Sequence, residues 1–461
     1  MQPLLAIAGL TWKAAFRFRL FLVLAVLLLA SVIGLPLLIE DDGTARGFTQ
    51  ILMTYTLSAI TGLLGLSTLW LACGTLARDI EECQMQVVLT KPVARWQVWL
   101  GKWLGIMSLN TVLLALAGTS VYALLEYRAG RLPPAEQQTL RSEVLVARGS
   151  ASEASHETEI AEATEKALQE RLKSNPVEKV DLAEVRKEIL EQVRATFQLV
   201  PPGYTRQWQI DLGHPRSYFQ DRSMQLRIKF NTAQGGGSAT YRGAWQVGDP
   251  ASTNVWQYET PSLAPDTFYE FAIPANLCDS QGRLTILFLN PNSTSLLFSL
   301  DEGMAVLYPD GGFALNFVRV LGIISVWLAL LTALGLMAAS FLSFPVAAFF
   351  SLALLLVGLS SGTLAEAVDT GSIAAGNEET GAAGHSGFDV VLIPAFKATL
   401  AVLGLAEKFS PIDALSTGRS IPWSELGLAV LQVDLLLGGA VSLAGIFLFS
   451  RRELATAQGT Q

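Results

Sequence analysis

The side chains that most often do chemistry in proteins, cysteine and histidine, are few and far apart in this sequence. The chain of 461 residues holds three of each, namely Cys73, Cys83, Cys278, His156, His214 and His385. Their spacing fits neither a disulfide framework nor a zinc cluster, so we expect no metal site. No motif combines a nucleophile, a base and an orienting group, and no phosphate loop occurs, because Gly101-Lys102 is followed by Trp103 and lacks the upstream glycine. We therefore expect neither catalysis nor a cofactor in this chain.

Residues 78–102, which we name the interface segment, have the most informative pattern of charged and apolar side chains. The segment begins acidic, continues as a short apolar stretch and stops at Pro92. After Pro92, residue types typical of a membrane interface precede the next apolar run, namely Arg95, Trp96, Trp99 and Lys102. We interpret it as a helix that lies flat at a membrane surface and acts as a lever. The plainer interpretation is an amphipathic connector.

Asp434 is the one charged residue within the last apolar run, and Gln432 lies beside it. An ionised carboxylate inside a bilayer is costly, so such a residue needs an explanation. One interpretation is that Asp434 contacts a substrate or carries a proton. The other is a buried hydrogen bond to a polar neighbour such as Asn110. The sequence leaves both interpretations open.

The composition indicates the elements that must position these residues. Hydrophobic residues make up 51% of the chain and charged residues only 16%, against roughly 25% charged in soluble domains. The net charge of -8 offers no basic field that would attract nucleic acid. The composition therefore predicts an integral membrane protein without a nucleic-acid partner.

Apolar blocks predict six transmembrane helices, because about 20 apolar residues span a bilayer. The blocks cover 20–39, 51–77, 103–125, a charge-free run at 320–365 that is long enough for two helices, and 426–450. The long run is predicted to be a helical hairpin with its turn at 340–345. Pro345 can begin a new helix there but would break a continuous one.

The orientation follows from the lysines and arginines at 13–19, 78–102 and 451–452, which six crossings place on one side. We expect this protein in the cell membrane, or the inner membrane where a cell has two. Cytoplasmic loops are enriched in lysine and arginine, so both termini and the interface segment are predicted to lie in the cytoplasm. Residues 127–312 then form an extracytoplasmic insertion. The predicted domains are therefore 1–126 and 313–461 in the membrane, a helical hairpin at 127–200 and a β-sandwich at 201–312.

The insertion changes its hydrophobic period near residue 201. Before this point, apolar residues from Ile160 to Phe197 recur at helical spacing, which predicts two helices whose charged face is either solvated or in coiled-coil contact with a partner. After it, strict alternation at 224–230, 267–273 and 283–289, with five further strand candidates, predicts a β-sandwich or jelly roll. Four of its aromatic residues are either core or a sugar-binding face: Tyr241, Trp245, Trp256 and Tyr269.

The segment 388–425 is apolar in part but interrupted by Pro394, Lys397 and Gly404. These breaks favour an extracytoplasmic re-entrant or interfacial helix over a seventh crossing. The predicted fold is thus an α-helical integral membrane protein with six transmembrane helices and an inserted extracytoplasmic α+β domain.

Six short strings in the membrane half form a recognisable set: Glu81-Glu82, Leu89-Thr90-Lys91-Pro92-Val93-Ala94-Arg95, Gly101-Lys102, Phe344-Pro345, the stretch 413–423 and Arg451-Arg452-Glu453-Leu454. Together these strings resemble the ABC-2 type transporter permeases, especially the branch named for multicopper-enzyme maturation. The likeness covers the membrane half only, and the insertion is larger than the common pattern of that family.

The resemblance implies a permease subunit that is not itself an enzyme. It would pair with a second copy or a paralogous permease and with two copies of a separate ATPase subunit, which binds ATP and Mg²⁺. In that family the loop between spans two and three docks in a cleft of the ATPase. By position, the residues assigned to this coupling are Glu81, Glu82, Met85, Leu89, Lys91, Pro92 and Arg95. The implied function is export or flipping of an unidentified substrate.

Two other functions remain open at this point. The chain could transmit mechanical force through its insertion to an extracytoplasmic envelope protein, with no substrate crossing the membrane. It could also be a membrane-anchored adhesion or binding module without any ATPase. Membrane lipid is an expected contact in each case.

Overall fold

A computed structural model describes residues 2–17, 20–38, 44–89, 92–141, 145–174, 182–232, 239–248, 255–300, 302–370, 389–409 and 418–452. The helices within these ranges are α1 (Gln2–Arg17), α2 (Leu20–Leu38), α3 (Ala45–Glu81), α4 (Gln84–Leu89), α5 (Arg95–Ala129), α6 (Pro134–Thr139), α7 (Glu157–Ser174), α8 (Leu182–Gln198), α9 (Phe313–Phe341), α10 (Phe344–Leu359), α11 (Ser361–Thr370), α12 (Asp389–Glu407) and α13 (Trp423–Arg451). The chain divides into two compact units, a helical unit formed by Met1–Val146 with Gly312–Gln461, and a mixed unit formed by Ala147–Gly311.

Within the described ranges of the helical unit, four helices are long and apolar enough to cross a membrane. They are Ile51–Glu81 within α3, Arg95–Ala129, Phe313–Phe341 and Trp423–Arg451. The predicted turn at 340–345 is confirmed, because α9 ends at Phe341 and α10 begins at Phe344 with Pro345 in its first turn.

The other apolar helices are shorter over the residues whose side chains the structure describes, so length and composition support four of the six predicted spans. The shorter ones are Leu22–Leu35, Phe344–Leu359 and Leu392–Ala406. The 16 residues of α10 extend about 24 Å, less than the ~30 Å of bilayer hydrocarbon. The charge-free run that predicted a full second helix continues instead as α11 after a break at Ser360.

The helical unit is held together by apolar side chains that α3, α5 and α9 turn toward one another. This core includes Leu57, Ile60, Leu64, Leu113, Ala117, Val121, Val320, Ile323 and Ile324. A second cluster lies around the interface segment and joins Ile7, Leu76, Met85, Trp99 and Phe449. Burial of these side chains fixes the ends of the helices on which the segment rests.

Small residues allow the helices to approach closely at two places. A Cβ at Gly335 of α9 would lie 2.7 Å from the Cβ of Ala72 in α3. A Cβ at Gly101 or Gly105 of α5 would lie 2.8 Å or 2.7 Å from a Cβ of α1. The Gly101–Gly105 spacing is the small-residue pattern that membrane helices use for close packing. Helix α1 therefore lies in a groove along α5.

Eleven strands occur in the described part of the mixed unit. They are β1 (Val146–Ser152), β2 (Leu199–Val200), β3 (Thr205–Asp211), β4 (Met224–Ile228), β5 (Asn231–Thr232), β6 (Tyr241–Val247), β7 (Trp256–Leu263), β8 (Tyr269–Ile273), β9 (Arg283–Leu289), β10 (Leu296–Leu297) and β11 (Met304–Gly312). Two four-stranded sheets have the orders β1-β11-β4-β8 and β3-β9-β6-β7, and the two-residue strands form a third sheet.

The order of the longer strands is that of a jelly roll. Counted in chain order without the two-residue strands, the sheets read first-eighth-third-sixth and second-seventh-fourth-fifth. The inner faces of both sheets contribute to one core, as expected for a sandwich. In the register of β9 with its neighbours, Trp208 lies opposite Ile286 and Trp245 opposite Phe288.

The four aromatic residues that left a sugar-binding face open divide by burial. Trp245 is 2% exposed and packs on Trp208 and Phe288, so it belongs to the core. The other three, Tyr241, Trp256 and Tyr269, are partly buried against the same core. The interpretation as core is therefore confirmed for Trp245.

The helix pair α7 and α8 belongs to the same compact unit as the sheets. The helices run antiparallel, because His156 at the start of α7 contacts Phe197 at the end of α8, and Arg171 forms an ion pair with Glu188 at 3.2 Å. A second ion pair joins Arg186 to Glu165. Exposed ion pairs contribute little stability, so the packing of the apolar faces of α7 and α8 holds the two helices together.

Candidate functional site

The interface segment forms a short helix between two long ones. Helix α3 ends at Glu81, and Cys83 adopts a positive φ of 59°, which breaks the helix before α4 begins. The chain then runs through Pro92 to Ala94, where α5 begins. The side chain of Gln97 accepts a hydrogen bond from the backbone N–H of Ala94 at 3.1 Å and caps this end.

An ion pair joins the end of α3 to the start of α5. The Lys102 Nζ lies 2.6 Å from the Asp79 Oδ2, and it also donates to the Thr75 carbonyl at 2.7 Å. The Lys102 side chain is only 8% exposed, whereas the Asp79 side chain is 34% exposed. A buried ammonium is tolerated because both bonds compensate its lost hydration. The two helices that flank α4 are therefore fixed to each other at this point.

Glu81 connects the segment to the middle hairpin. Its Oε1 accepts a hydrogen bond at 2.9 Å from the backbone N–H of Phe344, which is the first residue of α10. The carboxylate thus acts as a cap for a helix whose own N-cap residue, Ser343, forms no side-chain cap. Arg78 lies over the Phe344 ring at 4.4 Å. The residue assigned to partner binding is, in the structure, also an internal link.

Two arginines bind the carboxyl ends of helices. The Arg95 Nη1 donates to the carbonyls of Phe449, Ser450 and Arg452 at 3.0, 2.8 and 2.9 Å, where α13 ends. The Arg452 Nη1 donates to the carbonyls of Ala339 and Ser340 in the last turn of α9. Guanidinium groups at these positions satisfy carbonyls that lack helical partners. Arg95 therefore ties the start of α5 to the end of α13.

Helix α4 has one buried and one exposed side. Met85 is 1% exposed and packs in the cluster with Trp99 and Phe449, whereas Val87 is 68% exposed. Glu82 and Pro92 are also exposed. Lys91 lies outside the described residues, as do Thr90, Glu453, Leu454 and the stretch 410–417, and the side chain of Leu89 is not described either. The side available to another protein thus includes Glu82, Val87 and Pro92.

The structure does not bring Asn110 and Asp434 together. Asn110 is buried and donates from its Nδ2 to the Thr68 Oγ1 at 2.9 Å. Asp434 lies half-buried in the π-helical stretch Val430–Gly438 of α13, and no side-chain hydrogen bond to it occurs within the described ranges. The hydrogen bond expected between these residues is replaced by one from Asn110 to Thr68. A functional role of Asp434 stays a prediction.

Sequence reasoning missed the residues that hold the segment in place. The sequence assigned no positioning role to Asp79 or Arg452, because their partners are remote in sequence. It also assigned none to α1, because its apolar pattern is short. One signal was available: Lys102 lies at the edge of an apolar run, and a buried lysine needs an anionic partner. The acidic residues one helical turn before the break were the candidates, and Asp79 is the one that pairs.

Comparison with known proteins assigns no family to this arrangement. No protein-family model, no curated protein and no solved structure matches the chain.

Proposed function

We propose that this chain is the membrane-spanning subunit of an ABC-2 type transporter and that a separate ATPase drives it. The observation that carries the proposal is the arrangement of α4. This short helix lies between two membrane-length helices, keeps Met85 buried and Val87 exposed, and is joined through its flanks to α10 and α13. A force applied to its exposed side would therefore reach most helices of the unit.

The proposal includes the topology predicted from charge. The four long helices cross the membrane, and α2 and α10 complete six crossings despite their shorter length. Both termini and α4 lie in the cytoplasm, whereas Ala147–Gly311 lies outside and α12 is re-entrant. The basic residues of the interface segment support this orientation.

In this mechanism each ATPase of a pair, with its ATP and Mg²⁺, contacts one copy of the interface segment. The exposed residues Glu82, Val87 and Pro92 form the described part of the contact surface, and Leu89 and Lys91 are assigned to it only by their position in the sequence. Closure of the ATPases moves α4, and the Asp79–Lys102 pair carries the movement into α3 and α5 together. Two permease copies, or this chain with a paralogous permease, supply the bistable interface that converts the movement into export or flipping.

Two substitutions in the interface segment test the proposal, one at an exposed position of α4 and one at a position that the sequence pattern assigns to coupling. A double variant, Val87→Asp with Lys91→Glu, should lower the ATP hydrolysis that copurifies with the tagged chain from its native membranes by at least about tenfold, because it buries a carboxylate in the interface. The control is Arg451→Glu, an exposed reversal at the same end of the helical unit. Unchanged copurifying hydrolysis in the double variant would refute the coupling surface.

A second function, mechanotransmission, is favoured by the size of the mixed unit. Ala147–Gly311 has its own core and a helix pair, which is more than a short loop between two membrane helices requires. In this alternative the ATPases reshape this unit, which acts on an envelope protein. Deletion of residues 147–311 separates the two functions. If the chain exports a substrate, export should persist after the deletion, whereas a mechanical function should be lost. The ATP hydrolysis that copurifies with the chain should persist in either case.

A further inference from the structure

A cavity of about 420 Å³ lies between α1, α3 and α4, beside the interface segment. Its wall is mostly apolar and includes Ile7, Leu10, Trp70, Leu71, Val88 and Val98. The volume falls within the range of small-molecule sites, and such sites combine an apolar wall with a few polar groups. The cavity therefore has the size and the lining of a ligand site.

The polar side of the cavity has an excess of positive charge. Of the ionisable residues that line it, Asp79 and Lys102 neutralise each other at 2.6 Å. Glu82 accepts a hydrogen bond from the Gln84 Nε2 at 2.6 Å. Two cations, Lys13 and Arg78, remain, and in the described part of the chain neither belongs to an ion pair. Two positive groups thus face one carboxylate at the edge of an apolar wall.

The position of the cavity restricts the ligand further. Arg78 belongs to the charged end of a membrane-length helix, where lipid headgroups meet protein. Leu5 and Leu10 of α1 are 69% and 56% exposed, so apolar surface continues from the cavity along this helix. A ligand that matches these features has an anionic group beside a long apolar chain.

We infer that this cavity binds one anionic phospholipid. Its phosphate lies between Lys13 and Arg78, and an acyl chain lies against Leu10, Trp70 and Leu71. The Arg78 guanidinium forms a charge-assisted hydrogen bond with the phosphate while its face rests on Phe344. Zwitterionic lipids carry a compensating cation on the headgroup and bind more weakly. The site requires neither an ATPase nor transport, so it stands or falls separately from the proposed function.

Native mass spectrometry of the full chain in detergent tests the inference. After removal of copurified lipid, phosphatidylglycerol should bind as one tight adduct, at least about tenfold more tightly than phosphatidylcholine with the same acyl chains. The double variant Lys13→Gln with Arg78→Gln should weaken phosphatidylglycerol binding by roughly thirtyfold, to the level of phosphatidylcholine. Arg451→Gln is the matched control, since this arginine also rests on a phenylalanine ring but lies outside the cavity.

A second pair of variants keeps both cations and changes the space. Ala14 lines the cavity, so Ala14→Trp should abolish the adduct, whereas Ala6→Trp on the exposed side of the same helix should retain it. Equal binding of the two lipids to the wild-type chain would overturn the inference, as would a tight adduct that survives Ala14→Trp. Displacement of phosphatidylglycerol by inorganic phosphate would assign the site to a free anion and overturn the lipid assignment.

Discussion

Lys102 is the most buried cation among the described residues of the interface segment, and its environment leads to a prediction about stability. Asp79 compensates its charge at 2.6 Å. Asp79→Asn leaves the ammonium without an anion and should lower the free energy of unfolding by about 2 kcal/mol, less than for a fully buried pair because Asp79 is partly exposed. The measurement is an SDS unfolding titration in mixed micelles.

A double-mutant cycle isolates the pair from other effects of these substitutions. In a Lys102→Met background no buried charge remains, so the same Asp79→Asn change should cost less than about 0.5 kcal/mol. Equal losses in both backgrounds would mean that Asp79 stabilises the fold through contacts other than Lys102.

His156 makes the stability of the mixed unit depend on pH. Burial alone would lower its pKa, but hydrogen bonds to Glu153 and Glu159 outweigh this effect and raise the pKa above its ordinary value. A raised pKa stabilises the fold fully below the unfolded pKa of about 6.5, and this stabilisation disappears as the pH rises through the folded value. The unfolding temperature should therefore fall as the pH rises from about 6.5 through the raised pKa of the folded state.

His156→Gln should remove this slope in thermal unfolding of the full chain, followed by tryptophan fluorescence. Glu162→Gln, an exposed acid on α7 away from the imidazole, should leave it unchanged. The assignment fails if His156→Gln retains the slope of the wild-type chain.

At the scale of residues, the sequence predicted the short helix of the interface segment but could not assign the partners of its residues. The local pattern of charges, Pro92 and tryptophans predicts a short helix at an interface, and α4 is present there. Arg95, however, binds carbonyls near residue 450, and no local pattern contains a contact over such a distance. The same holds for Asn110, whose partner is Thr68 rather than the more conspicuous Asp434.

At the level of elements, and among the strands longer than two residues, alternation of apolar and polar side chains predicted every strand except β1. The alternation at 283–289 corresponds residue for residue to β9. Strand β1 was missed because its sequence, Val-Ala-Arg-Gly-Ser-Ala-Ser, lacks the usual strand formers. The reason is steric, since a Cβ at Gly149 would lie 2.5 Å from the Tyr308 ring. The contact with Tyr308 therefore requires glycine at position 149, and glycine carries no strand-forming pattern in the sequence.

The fit of α1 on α5 depends on the small residues in their contact. A Cβ at Gly105 would lie 2.7 Å from the Thr11 Cβ and 3.0 Å from the Ala8 carbonyl oxygen. Gly105→Leu should displace α1 and cost about 1–3 kcal/mol. Gly62→Leu on α3 is the matched control, because a Cβ at Gly62 meets no atom within 4 Å.

Cross-linking measures this displacement directly. The Trp12 Nε1 donates to the Ser108 Oγ at 2.7 Å, so a short bifunctional thiol reagent should join cysteines placed at these two positions in a Cys83→Ser background. The yield should fall strongly with Gly105→Leu and persist with Gly62→Leu. A high yield in both variants would contradict the close contact.

For the whole molecule, composition predicted a membrane protein with a separately folded insertion. The structure agrees at this level, with four membrane-length helices and a compact unit at Ala147–Gly311. Composition does not determine the number of crossings, because a charge-free run shows that a segment is apolar but not where its helices end. The break at Ser360 lies inside such a run. Orientation rests on the distribution of lysine and arginine.

The orientation is the central claim, because α4 can meet an ATPase only in the cytoplasm. The three cysteines permit a direct measurement, since Cys83 beside α4 is exposed while Cys73 and Cys278 are buried. A maleimide that cannot cross membranes should label the wild-type chain only after cells are permeabilised, and Cys83→Ser should abolish this labelling. In that background, Tyr204→Cys in the mixed unit, 67% exposed in the wild type, should be labelled in intact cells. Labelling of Cys83 in intact cells would contradict the account.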